Sequence, residues 1–103
     1  MQSRFKSLLG LCLKAGKLAV GHDAVKTSVK QRKSELIILT SDASERLFDE
    51  MSTLTGGKNI LRLNLTMEDI SAAIGKRSGV LSINDEGFAR VISDETTKEG
   101  FII

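Results

Sequence analysis

The sequence predicts an α/β protein, a three-layer α/β/α sandwich around a four-stranded sheet of mixed direction. Three observations predict it. Segments with helical periodicity alternate along the chain with short apolar strands. One of those strands, Glu35-Leu36-Ile37-Ile38-Leu39-Thr40, contains a continuous apolar run suited to burial on both faces, which makes it the candidate for the centre of the sheet. The chain has 103 residues, 41% hydrophobic and 27% charged, enough for one core but not for two, so residues 1–103 form a single domain.

Phe5, Leu8, Leu9 and Cys12 mark one face of a first helix from about Ser3 to Ala15, stopped by Gly16. Lys17-Leu18-Ala19-Val20 is a short extended piece. Gly21 then opens a second helix, expected to run to about Lys33 with Val25 and Val29 one turn apart on its inner side. After the central strand, Ser41-Asp42-Ala43-Ser44 supplies a turn and a cap for a third helix carrying Leu47, Phe48, Met51 and Leu54, which ends before Gly56-Gly57. Asn59 to Leu63 reads as the third strand. Thr66-Met67-Glu68-Asp69 opens a fourth helix that aligns Met67, Ile70, Ala73 and Ile74 and closes at Gly75. Ser78 to Ile83 is the last strand, with Asn84 as the expected cap of a fifth helix carrying Phe88, Val91 and Ile92. Residues 94–103 are expected to form a weakly structured tail.

Composition narrows the function. The longest apolar run, Leu8 to Leu13, is far short of the roughly 18 residues of a membrane span. Lys14-Ala15-Gly16-Lys17 stands where a cleavable signal would need small neutral residues, so a cytoplasmic protein with no membrane partner is expected. One cysteine, Cys12, and one histidine, His22, supply neither a disulfide nor a four-ligand zinc site. Ser52 and Asn59 spoil a phosphate loop around Gly56-Gly57-Lys58, and no dinucleotide fingerprint or nucleophile elbow occurs. Cys12 with His22 as base would make a nucleophile, but Cys12 falls on the apolar face beside Leu8 and Leu9 and reads as a buried structural thiol. The carboxylates Asp42, Glu45, Asp49, Glu50, Asp85 and Glu86 sit at helix starts or on polar faces, where solubility and the helix dipole explain them. A non-enzymatic protein without metal or cofactor is expected.

The formal net charge of +2 conceals an asymmetry: residues 1–40 hold eight Lys and Arg against two acids, and residues 41–103 hold seven against eleven. A basic half on one small domain suits a polyanion such as nucleic acid. With no Trp, no Tyr and four Phe, the chain lacks stacking platforms for unpaired bases, so any RNA would be read by backbone and polar side chains. At about 100° per residue, His22, Lys26, Lys30 and Lys33 share one quadrant of the second helix beside the valines. Such a lysine run is also what a solvated face looks like. Gly21 opens that helix with free backbone N–H groups and no Cβ, so a phosphate or base edge can approach; the plainer reading is a tight strand-to-helix turn.

Leu8-Leu9-Gly10-Leu11, Ala15-Gly16-Lys17, Val20-Gly21, the segment Leu36 to Ser44 and Ala72-Ala73-Ile74-Gly75-Lys76 together resemble the kink-turn RNA-binding ribosomal protein superfamily. Asp85-Glu86-Gly87-Phe88 narrows the resemblance to its bacterial YlxQ-like branch, over nearly the whole chain. The resemblance implies an α/β/α sandwich that grips a sharply bent RNA duplex with the start of the second helix and the loop before the last strand. Family members begin that helix with Gly-Thr-Asn-Glu-x-x-Lys or Gly-Thr-Lys-Gln-x-x-Lys, whose polar side chains read tandem sheared G·A pairs. Here the stretch is Gly21-His22-Asp23-Ala24-Val25-Lys26-Thr27. Asp23 keeps a short polar group, whereas Ala24 lacks the Glu or Gln and Thr27 the lysine. Each lost bidentate contact costs roughly 1–3 kcal/mol, so binding weaker than that of the strongest members is expected.

On this resemblance the core contact is Gly21, His22, Asp23 and Lys26. Lys17 and Lys30 are expected to neutralise phosphates, and Lys76 and Arg77 in Gly75-Lys76-Arg77-Ser78-Gly79 to clamp the other side, with Ile74 or Val80 against an unstacked base. The expected partner is kink-turn or ribosomal RNA, with ribosomal proteins as neighbours and the protein itself a monomer. The alternative is an adaptor of the same fold that has lost specific RNA binding, motivated by Ala24, Thr27 and the acidic second half.

Overall fold

Leu36, Ile37, Ile38 and Leu39 are all buried, so the strand they form needs cover on both faces, and the rest of the chain provides it. The computed structural model describes residues 3–102. In chain order the elements are α1 (Arg4–Lys14), β1 (Leu18–Val20), α2 (His22–Lys30), β2 (Leu36–Leu39), α3 (Glu45–Thr55), β3 (Ile60–Arg62), α4 (Met67–Ile74), β4 (Val80–Ile83) and α5 (Glu86–Lys98). The sheet order is β1-β4-β2-β3. β2 runs parallel to β3 and antiparallel to β4, and β4 is antiparallel to β1, so the sheet is mixed with β2 in its interior.

Alternation along β2 divides the core. Leu36 and Ile38 face Phe5, Leu9 and Cys12 of α1, Ile70 and Ile74 of α4, and Ile92 of α5. Ile37 and Leu39 face Val25 of α2 and Met51 of α3. The three layers are therefore α1, α4 and α5, then the sheet, then α2 and α3. The second layer of helices is the thinner one, and α2 is held in it partly by polar groups. Ser34 and Ser82 share a hydrogen bond (2.7 Å), Ser82 lies 2.7 Å from Asn84 Oδ1, Asn84 Nδ2 donates to Ser28 Oγ at 2.9 Å, and Ser28 donates to the Ala24 carbonyl at 2.9 Å. The chain of donors and acceptors satisfies the buried Ser82 and Ser28 and pins α2 to β4.

The strand directions give the sheet two different ends. At one, β1 and β2 finish and β4 begins: the Gly21 N–H donates to the Val80 carbonyl and the Thr40 N–H to the Gly79 carbonyl, both at 3.1 Å. At the other, β1 and β2 begin and β4 finishes: the Asn84 N–H donates to the Lys17 carbonyl and the Glu35 N–H to the Ile83 carbonyl, both at 2.8 Å.

Several local expectations are corrected. α2 stops at Lys30, so Lys33 leaves its helical register. Asp85 caps α5 by accepting from the Phe88 N–H at 2.8 Å, while Asn84 serves the polar chain instead. Val91 lies on the outer face of α5, 40% exposed, whereas Ile92 is buried. The segment from Asp94 is not a loose tail: α5 continues to Lys98, Phe101 packs edge-on to Phe5 with ring centroids 5.5 Å apart, and Leu63 bridges Ile102. Glu99 accepts from the Phe5 N–H at 2.8 Å and from Ser3 Oγ at 2.6 Å, which ties the end of the chain to the start of α1. Among the described residues no helix is long and apolar enough to cross a membrane.

Candidate nucleic-acid interface

Gly21 sits where β1 must become α2, with φ 97° and ψ 163°. Side-chain-bearing residues essentially never occupy that region, so the turn itself requires glycine. A Cβ built there meets nothing within 4 Å, which leaves the space above the helix start open. Glycine also has no side chain to cap the helix, and α2 has no side-chain cap bond. Among the described residues no side chain caps its first-turn N–H groups, which lie at the positive end of the helix dipole.

The flanking side chains are not simply basic. His22 Nε2 lies 2.8 Å from Glu50 Oε2 of α3, and His22 Nδ1 lies 3.3 Å from Asp23 Oδ1. The hydrogen bond to Glu50, followed by the one to Asp23, holds the His22 pKa above its ordinary 6.5. His22 is therefore bridged to α3 rather than standing alone as a cation. Asp23 is fully exposed. Lys26, one turn further on, has no carboxylate within 4.0 Å among the described residues and is half-buried at the helix flank.

The Gly21–Val80 hydrogen bond brings the Gly75–Gly79 loop beside this helix start. Gly75 turns the chain out of α4 in the left-handed region, and Lys76 is exposed without an ion-pair partner among the described residues. Arg77 Nε donates to Glu68 Oε1 at 2.5 Å, so its guanidinium is braced along α4. Ser78 Oγ accepts from the Val80 N–H at 3.2 Å and stiffens the exit of the loop. Gly79 is buried where a Cβ would come within 3.3–3.4 Å of Met67, Ala43 and Thr40. Ile74 and Val80 are 9% and 2% exposed, so neither is available to an unstacked base, contrary to the expectation from sequence.

The eight sequence-predicted residues thus fall into two groups. Gly21, His22, Asp23, Lys26, Lys76 and Arg77 gather at one end of the sheet. Lys17 belongs to the other end, about 13 Å away along an extended strand, and Lys30 lies about 12 Å along α2 from His22. The fold therefore does not gather all eight at one point. Sequence reasoning missed Glu50, because 28 residues separate it from His22, and the bracing of Arg77 by Glu68. Cys12 is out of play: burial, and secondarily the charge of Asp85, push its thiol up to about 11. No three His, Cys, Asp or Glu side chains converge as metal ligands among the described residues.

Fold and site together define a class of small α/β/α sandwiches that present an uncapped helix start and a lysine- and arginine-bearing loop side by side. Within that class the chain belongs to the ribosomal protein L7Ae/L30e/S12e/Gadd45 family, whose pattern matches residues 3–93. It is similar to the RNA-binding protein YlxQ of Enterococcus faecium, 29% identical over 85 residues that cover 82% of each chain. It is also similar to the RNA-binding protein YlxQ of Bacillus subtilis, 29% identical over 87 residues, covering 80% of this chain and 84% of that one. Among solved structures, a Bacillus halodurans protein of unknown function superposes with a TM-score of 0.82 at 26% identity, over 93% of this chain and 99% of that one. The Giardia lamblia 15.5kD RNA binding protein shares the fold, with a TM-score of 0.67 at 17% identity over 90% and 82% of the two chains.

Proposed function

We propose that this protein is a non-enzymatic RNA-binding protein that recognises kink-turn-like structured RNA, as part of the ribosome or the translation machinery, in the cytoplasm and as a monomer. Membership of the family and similarity to two RNA-binding YlxQ proteins support the RNA partner. The single observation that carries the site is the uncapped start of α2 beside the Gly75–Gly79 loop. Backbone N–H groups of the residues following Gly21 offer donors to phosphate or base edges, with Lys26 and Lys76 as the nearest cations without an ion-pair partner among the described residues. Asp23 accepts from base amino groups. Ala24 offers the bases nothing beyond a methyl group, so backbone and shape carry more of the recognition than in members with Glu or Gln at that place.

The test is a binding titration against a kink-turn RNA and a control whose sheared G·A pairs are replaced by Watson–Crick pairs, at two salt concentrations. Preference for the kink-turn that survives added salt is the expected result. Equal binding to both that salt erases would reduce the site to a basic patch and favour the adaptor reading.

A further inference from the structure

The far end of α2 carries an irregularity of its own. α1, α3, α4 and α5 each finish on a glycine with φ between 67° and 74°, Gly16, Gly56, Gly75 and Gly100. α2 finishes instead on Arg32, with φ 58°. The turn is an ordinary helix stop, the Arg32 N–H donating to the Val29 carbonyl at 3.0 Å and the Lys33 N–H to the Ser28 carbonyl at 2.9 Å. A left-handed residue with a Cβ is strained, and glycine would make the same turn without strain. Asn59, the other side-chain-bearing residue with positive φ (54°) among the described residues, is of a type that tolerates this region, whereas arginine is an unusual choice for it, and residues in sparsely populated backbone regions cluster where side chains have work.

Lys17, Lys30 and Lys33 accompany it. All four cations are exposed, and none has a carboxylate within 4.0 Å among the described residues. The dipole of α2 favours cations at and just beyond its last turn, which accounts in part for Lys30, Arg32 and Lys33 but not for Lys17. Lys17, Arg32 and Lys33 line one shallow cleft with Glu35, Asp85 and Glu86. The acids belong mostly to the α5 side: Asp85 is engaged in capping α5, and Glu86 lies 3.7 Å from Arg90. Among the described residues Glu35 intrudes without such a partner. Arg32 and Lys33 follow directly on α2, and the exposed residues Asp23, Ala24, Thr27 and Lys30 run along α2 between this end and Gly21.

We infer that Lys17, Lys30, Arg32 and Lys33 form a second anchor for the phosphate backbone of the same RNA, about 13 Å from the start of α2. An RNA arm leaving the kink lies along the outer face of α2, and its backbone is neutralised at the far end by these side chains. The inference rests on the RNA-binding reading above and deepens it: the start of α2 selects the kink, and the end of α2 adds affinity without selecting sequence.

The test compares the full chain with a Lys17→Gln, Arg32→Gly, Lys33→Gln variant. The probes are a kink-turn RNA with a long arm on each side, the same RNA with its arms trimmed, and the long-armed control with Watson–Crick pairs. The wild type is expected to hold the long-armed kink-turn more tightly than the trimmed one. In the variant that advantage disappears and the salt slope falls by about 2 to 3, while preference over the control remains. The triple variant is expected to melt no lower than the wild type, since Arg32→Gly relieves the strained turn and the other two side chains are exposed, which excludes misfolding as the cause. Unchanged arm dependence and slope in the variant would overturn the second anchor while leaving the RNA-binding reading intact. Loss of kink preference in the variant would also overturn it, by assigning these cations to kink reading. A wild type that binds none of the three RNAs would overturn both.

Discussion

Ser3, Ser44, Thr66 and Asp85 each accept a hydrogen bond from the first turn of α1, α3, α4 and α5, and a left-handed glycine ends each of those helices. Between β1 and β2, α2 begins at Gly21 with no side-chain cap and ends on a strained arginine. Four helices thus satisfy their own ends, as a sequence selected only to fold would have them do. α2 leaves its N–H groups for something else to satisfy and places a cation where glycine would be easier. Departures from local rules are expected at functional sites, and here both fall on one element.

The largest way to break that comparison is to substitute the two kinds of N-cap. Gly21→Ala forces a Cβ into a forbidden backbone region and is expected to cost roughly 1–3 kcal/mol of stability, together with most of the RNA affinity. Asp85→Ala removes an ordinary cap and is expected to cost about 1 kcal/mol with RNA binding unchanged. Urea denaturation and RNA titration of both proteins check this. A folded Gly21→Ala protein with wild-type affinity would show that α2 starts at Gly21 for chain geometry alone.

A smaller and more graded effect separates the two kinds of helix start by pH. The His22 pKa is raised, so the His22–Glu50 link that steadies α2 is fully present below 6.5 and is lost as pH rises through the folded-state value. The Asp69 pKa is lowered from 3.8, chiefly by the hydrogen bond from the Thr66 N–H, so the capping box of α4 is fully present above that value and fails as pH falls through the depressed one. Thermal melts across pH are expected to lose their neutral-side slope in His22→Gln and part of their acid-side slope in Asp69→Asn. Identical profiles in His22→Gln and wild type would mean that the imidazole contributes nothing to α2.

Much of the fold was legible because local signals agree with one another. The four buried positions of β2 read as a two-sided strand, Ser44 and Thr66 announced the helices they cap, and Gly56 and Gly75 announced the ends. Sequence and structure differ where the local signal is missing or shared. With no glycine to stop it, α2 reads as running to Lys33, and Asn84 and Asp85 are both capping residues, so only the demand of Ser28 for a donor distinguishes them. The end of the chain lacked periodicity because Phe101 and Glu99 serve α1, nearly the whole chain away.

The candidate site was legible as a list and not as a geometry. Gly21, Asp23 and Lys76 could be named from the resemblance, but strand direction, which places Lys17 at one end of the sheet and Gly21 at the other, is not written in residue spacing. The bridging of His22 to Glu50 and of Arg77 to Glu68 likewise depends on how helices pack. The absence of a glycine after Lys30 was the one sequence signal that α2 differs at its far end.

The most direct test of the claim that α2 presents its start to RNA is amide-resolved NMR of the full chain during titration with kink-turn RNA. The account expects the largest shifts at the N–H groups of His22, Asp23 and Ala24 and in the Gly75–Gly79 loop, with the first turns of α1, α3 and α5 unchanged. Shifts centred on those capped turns, with the α2 start silent, would contradict it.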